Sequence, residues 1–224
     1  MAEYQINKVN NNAFNDDKSI TELGNPGCPD GDAGEAMLAR MNVEHFELTS
    51  WGINLMDLKD DDTVIDIGSG GGLTIRRISD RVPNGHFAAI DYSDTSIKLT
   101  KMMNDALIID GRMDVIKASV EKLPFEDNTF SKAISVESFY FWPDHVENLK
   151  EVRRILKEGG VVSVVCDIYD TEKLTDREKE NVKKYNLFNP TLEEFEEIFK
   201  MAGFKEVKIN TKEGTTWVCA QGIK

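Results

Sequence analysis

The run Val64-Ile65-Asp66-Ile67-Gly68-Ser69-Gly70-Gly71-Gly72 constrains this chain more than any other stretch of it. Thr63 to Ile67 is apolar and β-branched, as expected of a strand buried on both faces of a parallel sheet, and Leu73, Ile75 and Ile78 then recur at helical spacing. A strand that feeds a helix through glycines makes a turn without Cβ atoms, so backbone N–H groups and the helix start can approach a ligand closely. A glycine-rich turn that holds nothing is the alternative. The next strand weighs against it, because His86-Phe87-Ala88-Ala89-Ile90 ends in Asp91, 23 residues beyond Gly68. In nucleotide-binding βαβ units an acid about 20 residues on accepts hydrogen bonds from ribose hydroxyls, which makes Asp91 the expected ribose ligand. Its competing role is to cap the helix starting near Ser93, although Ser93 and Asp94 can cap that helix themselves.

Further strands are expected at Met113 to Ala118, Phe130 to Val136 and Val161 to Ile168, with helices at Thr95 to Leu107 and Val146 to Leu156. Strands alternating with helices predict a doubly wound α/β sheet. Lys157-Glu158-Gly159-Gly160 reads as a helix stop before the fifth strand. Thr191 to Ala202 is amphipathic, and Phe204 to Asn210 and Thr215 to Gly222 are the last strands. The segment before residue 33, with Asn10-Asn11-Asn12, Asn25-Pro26-Gly27 and Asp30-Gly31-Asp32, is loop-like, and one helical signal runs from Gly34 to Leu55.

A hydrophobic content of 40% over 224 residues suffices for a full core. The formal net charge of −13 opposes a polyphosphate partner, since binding by counterion release needs clustered Lys and Arg, so no nucleic-acid substrate is expected. No apolar run has the length of a membrane span, and Met1 to Gln5 lacks the basic start of a signal peptide, so the expected location is cytoplasmic. Cys28, Cys166 and Cys219 are odd in number and widely spaced, which predicts free thiols. With three histidines and no His-x-x-x-His or Cys-x-x-Cys pair, no protein-bound metal is expected, and the chemistry should rest on an organic cofactor.

Five stretches in order, Val64 to Gly72, Ala88 to Ser93, Glu121-Lys122-Leu123-Pro124-Phe125, Asn128-Thr129-Phe130 and Arg154 to Gly160, carry a resemblance to the class I S-adenosylmethionine-dependent methyltransferases. Within them the chain is similar to the small-molecule group called methyltransferase type 11 and to the ubiquinone and menaquinone biosynthesis methyltransferases. The resemblance implies a Rossmann-like fold with a seven-stranded sheet and an antiparallel last strand. It also implies S-adenosylmethionine as cofactor. Gly68, Ser69, Gly70 and Gly72 would lie under its methionine part with Asp66 near the amino group, Asp91 on the ribose and Tyr92 on the adenine. Where the family often has Asp-Ala before Leu-Pro-Phe this chain has Ser119-Val120, so a backbone N–H at Val120 would replace the side-chain contact. Ser131 stands where Asp is usual, a position read as structural. Against a nicotinamide-dependent oxidoreductase, the third glycine comes one residue early, at Gly72. A non-catalytic cofactor-binding protein is the other alternative.

Residues 1–58 are expected to form an amino-terminal loop and helical lid on a cofactor-binding domain of residues 59–224, acting as a monomer or homodimer on a small-molecule methyl acceptor. The acceptor site belongs at the carboxyl ends of the strands. Glu137, Ser138, Phe139, Tyr140, Phe141 and Trp142 follow the fourth strand and should face it, about half of these aromatics packing a helix instead. On the lid, His45 is the candidate general base, with a capping or surface histidine as the alternative, and Glu137 and Tyr140 are candidates for orienting the acceptor.

Overall fold

A computed structural model describes residues 17–224; the Asn10-Asn11-Asn12 run and Met1 to Gln5 lie outside the described residues. Strands β1 (Thr63–Ile67), β2 (His86–Asp91), β3 (Met113–Lys117), β4 (Phe130–Val136), β5 (Leu156–Cys166), β6 (Glu206–Thr211) and β7 (Val218–Ile223) form one sheet in the order β3-β2-β1-β4-β5-β7-β6. The first five are parallel, and β7 inserts antiparallel between β5 and β6. This is the expected doubly wound, Rossmann-like sheet with its antiparallel end.

Each central strand is buried on both faces, which explains why their sequences are runs of apolar residues rather than alternations. One face carries Ile65, Ile67, Ala88, Ile90, Val162 and Val164 against α7 (His145–Ile155) and α9 (Leu192–Met201). The other carries Val64, Phe87, Ala89 and Ile134 against α3 (Phe46–Asn54), α4 (Leu73–Ser79) and α6 (Asp105–Ile109). Two of the family-like stretches form one unit. The Arg154 guanidinium at the end of α7 donates to the carbonyls of Leu123 (3.0 Å) and Phe125 (2.8 Å), tying the Leu-Pro-Phe turn to that helix. Ser131 is structural: its hydroxyl donates to Asp62 (2.6 Å) and accepts from the Thr63 N–H (2.9 Å), joining β4 to the start of β1.

Four expectations need correction. Within the loop-like amino-terminal segment, residues Asp17–Gly24 form α1, and α2 begins at Gly31 and runs to Glu44. The single helix from Gly34 to Leu55 is two, because His45 leaves helical geometry (ψ 10°) and serves as the C-cap of α2 and the N-cap of α3. The helix from Thr95 to Leu107 likewise divides into α5 (Asp94–Met103) and α6 at Asn104, whose amide donates to the carbonyls of Gly72 and Thr100. Lys157 to Gly160 is no helix stop, since α7 already ends at Ile155 and β5 starts at Leu156; Gly159 takes its positive φ (74°) inside that strand, beside a register shift against β4. The segment between β5 and α9 carries a helix that had no clear apolar signal, α8 (Asp176–Lys184), closed by a Thr175/Glu178 capping box and with no buried residue.

No helix among the described residues is long and apolar enough to cross a membrane.

Candidate active site

The glycine loop lies between β1 and α4, and the neighbouring strand and helix lock its shape. Gly68 and Ser69 donate their N–H groups to the Ile90 carbonyl (2.9 and 3.0 Å), and Gly70 donates to Asp91 Oδ2 (3.0 Å). Three of the loop's donors are therefore occupied inside the protein, and its glycines serve backbone conformation and close approach more than donor supply. Gly68, Gly70 and Gly72 all have positive φ (79°, 50° and 77°). A side chain at Gly68 would strike Ser138 Oγ, and one at Gly72 would stand 2.6 Å from Thr100 Cα on α5. Replacing Gly72 with alanine is expected to cost at least about 2 kcal/mol, the sum of a left-handed conformation and a backbone clash, read as a lower urea midpoint with unchanged slope.

Asp91 closes β2 with both oxygens engaged, Oδ2 by Gly70 and Oδ1 by the Ser93 N–H (2.9 Å). Ser93 in turn is the N-cap of α5, accepting from Ser96, so Asp91 is not that helix's cap. The carboxylate faces the cleft, and burial raises its pKa against the lowering effect of these N–H bonds. Tyr92 stands beside it on the rim, 48% exposed. Ser119 and Val120 line the same wall; the serine hydroxyl is turned to Glu121 (2.9 Å), while among the described residues the Val120 N–H has no partner. Asp66 lies elsewhere. It is 1% exposed, sealed behind the loop rather than on the cleft wall, and both its oxygens lack a hydrogen-bond partner.

From this loop the cleft, about 1720 Å³, continues over the ends of β4 and β5. Glu137, directly after β4, has a left-handed backbone (φ 56°), unusual for a residue with a side chain. His45 Nε2 comes within 3.9 Å of Glu137 Oε2, and the Tyr140 hydroxyl, in the short 3₁₀ turn Phe139–Phe141, lies 3.1 Å from Glu137 Oε1. The structure thus brings His45, Glu137 and Tyr140 together. Among the six residues after β4, Phe139 packs fully into the core, stacked near Phe195, whereas Glu137, Ser138, Tyr140, Phe141 and Trp142 border the cleft. Burial holds the His45 imidazole below its usual pKa, with the charge of Asp167 opposing the shift, and raises Glu137 well above the carboxylate range.

Asp167 was not anticipated. It follows β5 as Glu137 follows β4, and one ligand atom each of His45, Glu137 and Asp167 lies within 4.8 Å of the others. Sequence spacing could not reveal this cluster, since its members come from three distant segments. The one usable signal is position, an acid just past the carboxyl end of a parallel strand next to the one that carries Glu137. Overhead, α1, α2 and α8 form a roof, and Lys184 of α8 pairs with Glu22 of α1 (2.5 Å), a half-exposed contact of small energetic value.

Comparison with known proteins agrees with this geometry. Residues 65–164 match the family described as "Methyltransferase domain". The chain is 30% identical over 154 residues to 2-methyl-6-phytyl-1,4-hydroquinone methyltransferase 1 of rice (Oryza sativa subsp. japonica), covering 69% of this chain and 44% of that protein. It is 25% identical over 172 residues to the methyltransferase YdaC of Bacillus subtilis, covering 77% and 87% respectively. The chain thus spans less than half the length of the plant relative. Among solved structures, Haemonchus contortus phosphoethanolamine N-methyltransferase 2 in complex with S-adenosyl-L-methionine superimposes with a TM-score of 0.73 at 15% identity, over 85% of this chain and 57% of that one. The methyltransferase bound to the Haloferax volcanii Trm112 activator gives 0.71 at 18% identity, over 84% and 96%. The matched methyltransferase domain, the methyltransferase relatives and the fold together support a class I S-adenosylmethionine-dependent methyltransferase.

Proposed function

We propose that the chain transfers a methyl group from S-adenosylmethionine to a small-molecule acceptor, with His45 as the proton acceptor and Glu137 and Tyr140 orienting the acceptor. The observation that carries this reading is that the cofactor loop and the His45 cluster line one continuous cleft. The residues present suit the cofactor: Asp91 for ribose hydroxyls, Tyr92 and the unpartnered Val120 N–H for adenine, and the buried carboxyl of Asp66, whose oxygens have no hydrogen-bond partner, behind Gly68, Ser69, Gly70 and Gly72 for the methionine end.

Bound there, S-adenosylmethionine supplies an electrophilic methyl group on a sulfonium, so no covalent adduct with the protein is needed. What remains for the protein is orientation, exclusion of water and disposal of one proton. His45 Nε2 is suited to the last, because burial keeps the imidazole neutral and ready to accept. The roof of residues 17–58 acts as the lid of the 59–224 domain, carrying His45 over the strand ends. The acidic balance of −13 supports a small molecule over nucleic acid, and three unpaired thiols support a reducing, cytoplasmic setting for a monomer or homodimer.

The test is calorimetric titration with S-adenosylhomocysteine and with NADH, followed by incubation of a metabolite fraction with deuteromethyl-labelled S-adenosylmethionine. Micromolar affinity for S-adenosylhomocysteine and a labelled methyl product are expected. Binding of NADH alone would point to the oxidoreductase, and binding without any labelled product to a silent cofactor-binding protein. Once a labelled product is in hand, His45→Ala is expected to lower turnover about a hundredfold, the scale of general-base catalysis, with S-adenosylhomocysteine affinity unchanged.

A further inference from the structure

Arg40 lines the cleft on the His45 side, but among the described residues the two acids past β4 and β5 have few hydrogen-bond donors and no Lys or Arg paired with them. Tyr140 has one hydroxyl proton for two carboxylates, Asp167 Oδ1 at 2.8 Å and Glu137 Oε1 at 3.1 Å. The Asp167 N–H serves Glu137 Oε1 again, at 2.6 Å. Among the described residues no Lys or Arg forms an ion pair with either acid; the two carboxyl groups share a hydrogen bond with each other, and His45 Nε2 stands 3.9 Å from Glu137 Oε2. Two half-buried carboxylates so placed repel each other, and Glu137 meets burial and the Asp167 charge by holding on to its proton.

Resting on the methyltransferase reading, we infer that Glu137 and Asp167 together receive the protonated amino group of the methyl acceptor, an alkylamine with an apolar or aromatic body. An ammonium brings one positive charge and several N–H donors, which is what the pair of acids lacks. A hydroxyl brings one donor and no charge, and a carbon nucleophile brings neither. The walls beside the pair, Phe141, Trp142 and Ile168, suit an apolar body and the face of a ring suits a cation. His45 Nε2, beside Glu137, is then placed to take the proton that the nitrogen must lose before its lone pair is free.

The test uses the full chain saturated with S-adenosylhomocysteine, titrated in a calorimeter with 2-phenylethylamine and hexylamine and with the matching alcohols, in wild type and Asp167→Asn. Each amine is expected to bind at least tenfold more tightly than its alcohol, and Asp167→Asn to erase the preference while S-adenosylhomocysteine affinity and melting temperature stay near wild type. Equal binding, binding of neither amine, or a preference that survives Asp167→Asn would overturn the inference. So would tight binding of Mn²⁺ to wild type that Asp167→Asn abolishes. If wild type fails to bind S-adenosylhomocysteine in the first step, the methyltransferase reading itself falls.

Discussion

Asp91→Asn is expected to weaken S-adenosylhomocysteine binding about a hundredfold. Each Asp91 oxygen accepts a backbone N–H, one from the glycine loop at Gly70 and one from the start of α5 at Ser93. An asparagine has one acceptor oxygen, so its amide group must face one of those N–H donors and leave it unpaired. The substitution also removes the charge that strengthens bonds to ribose hydroxyls. Losing two charge-assisted hydrogen bonds at about 1.5 kcal/mol each corresponds to roughly a hundredfold. Calorimetry gives the affinity, and a melting curve of the free protein separates ligand contact from loop support. An affinity change under threefold with a large drop in melting temperature would reduce Asp91 to a tie between the loop and α5.

The parts of this site legible in the sequence are those whose physics is local. β1 and β4 coincide with the expected Thr63 to Ile67 and Phe130 to Val136, because a strand buried on both faces leaves an uninterrupted apolar run. The glycine loop and Asp91 were legible for the same reason: turn, strand and acid follow one another within a single βαβ unit. Helix breaks were not. His45 and Asn104 are unremarkable in a helical pattern, and what distinguishes them is tertiary: Asn104 turns its amide to the Gly72 carbonyl and His45 faces Glu137. α8 escaped because it buries nothing, so no apolar stripe marks it; only its capping box betrays it. Asp167 escaped because its meaning comes from Glu137, 30 positions away and on the adjacent strand. Composition argued against a ligand cluster by counting motifs, but proximity in a parallel sheet is made by strand order.

Asp66→Asn is expected to flatten the pH dependence of stability and to weaken cofactor binding, opposite effects from one substitution. Burial, reinforced by the charge of Asp91, raises the Asp66 pKa to about 8. In the unfolded chain an aspartate titrates near 3.9. Between those values the folded protein holds a proton that the unfolded chain releases, so stability is fully present below about pH 4 and is lost as pH climbs toward 8, where the folded carboxyl ionises too. At about 1.4 kcal/mol per unit, reduced by relaxation around the buried group, wild type should lose about 2–4 kcal/mol between pH 5 and 8 from this residue. An asparagine has no such slope, so Asp66→Asn should be the more stable protein at pH 8 in urea titrations of the cofactor-free state. A variant as pH-sensitive as wild type would mean that Asp66 is not the source. The same charge is useful once a cation lies across the loop, since Asp66 has no hydrogen-bond donor of its own to neutralise it. S-adenosylhomocysteine, through the ammonium of its amino-acid end, should therefore raise the melting temperature of wild type at pH 8 by more than that of Asp66→Asn. An orphaned carboxylate that destabilises the empty protein and is relieved by the ligand is what a binding site retains and a purely structural position would replace.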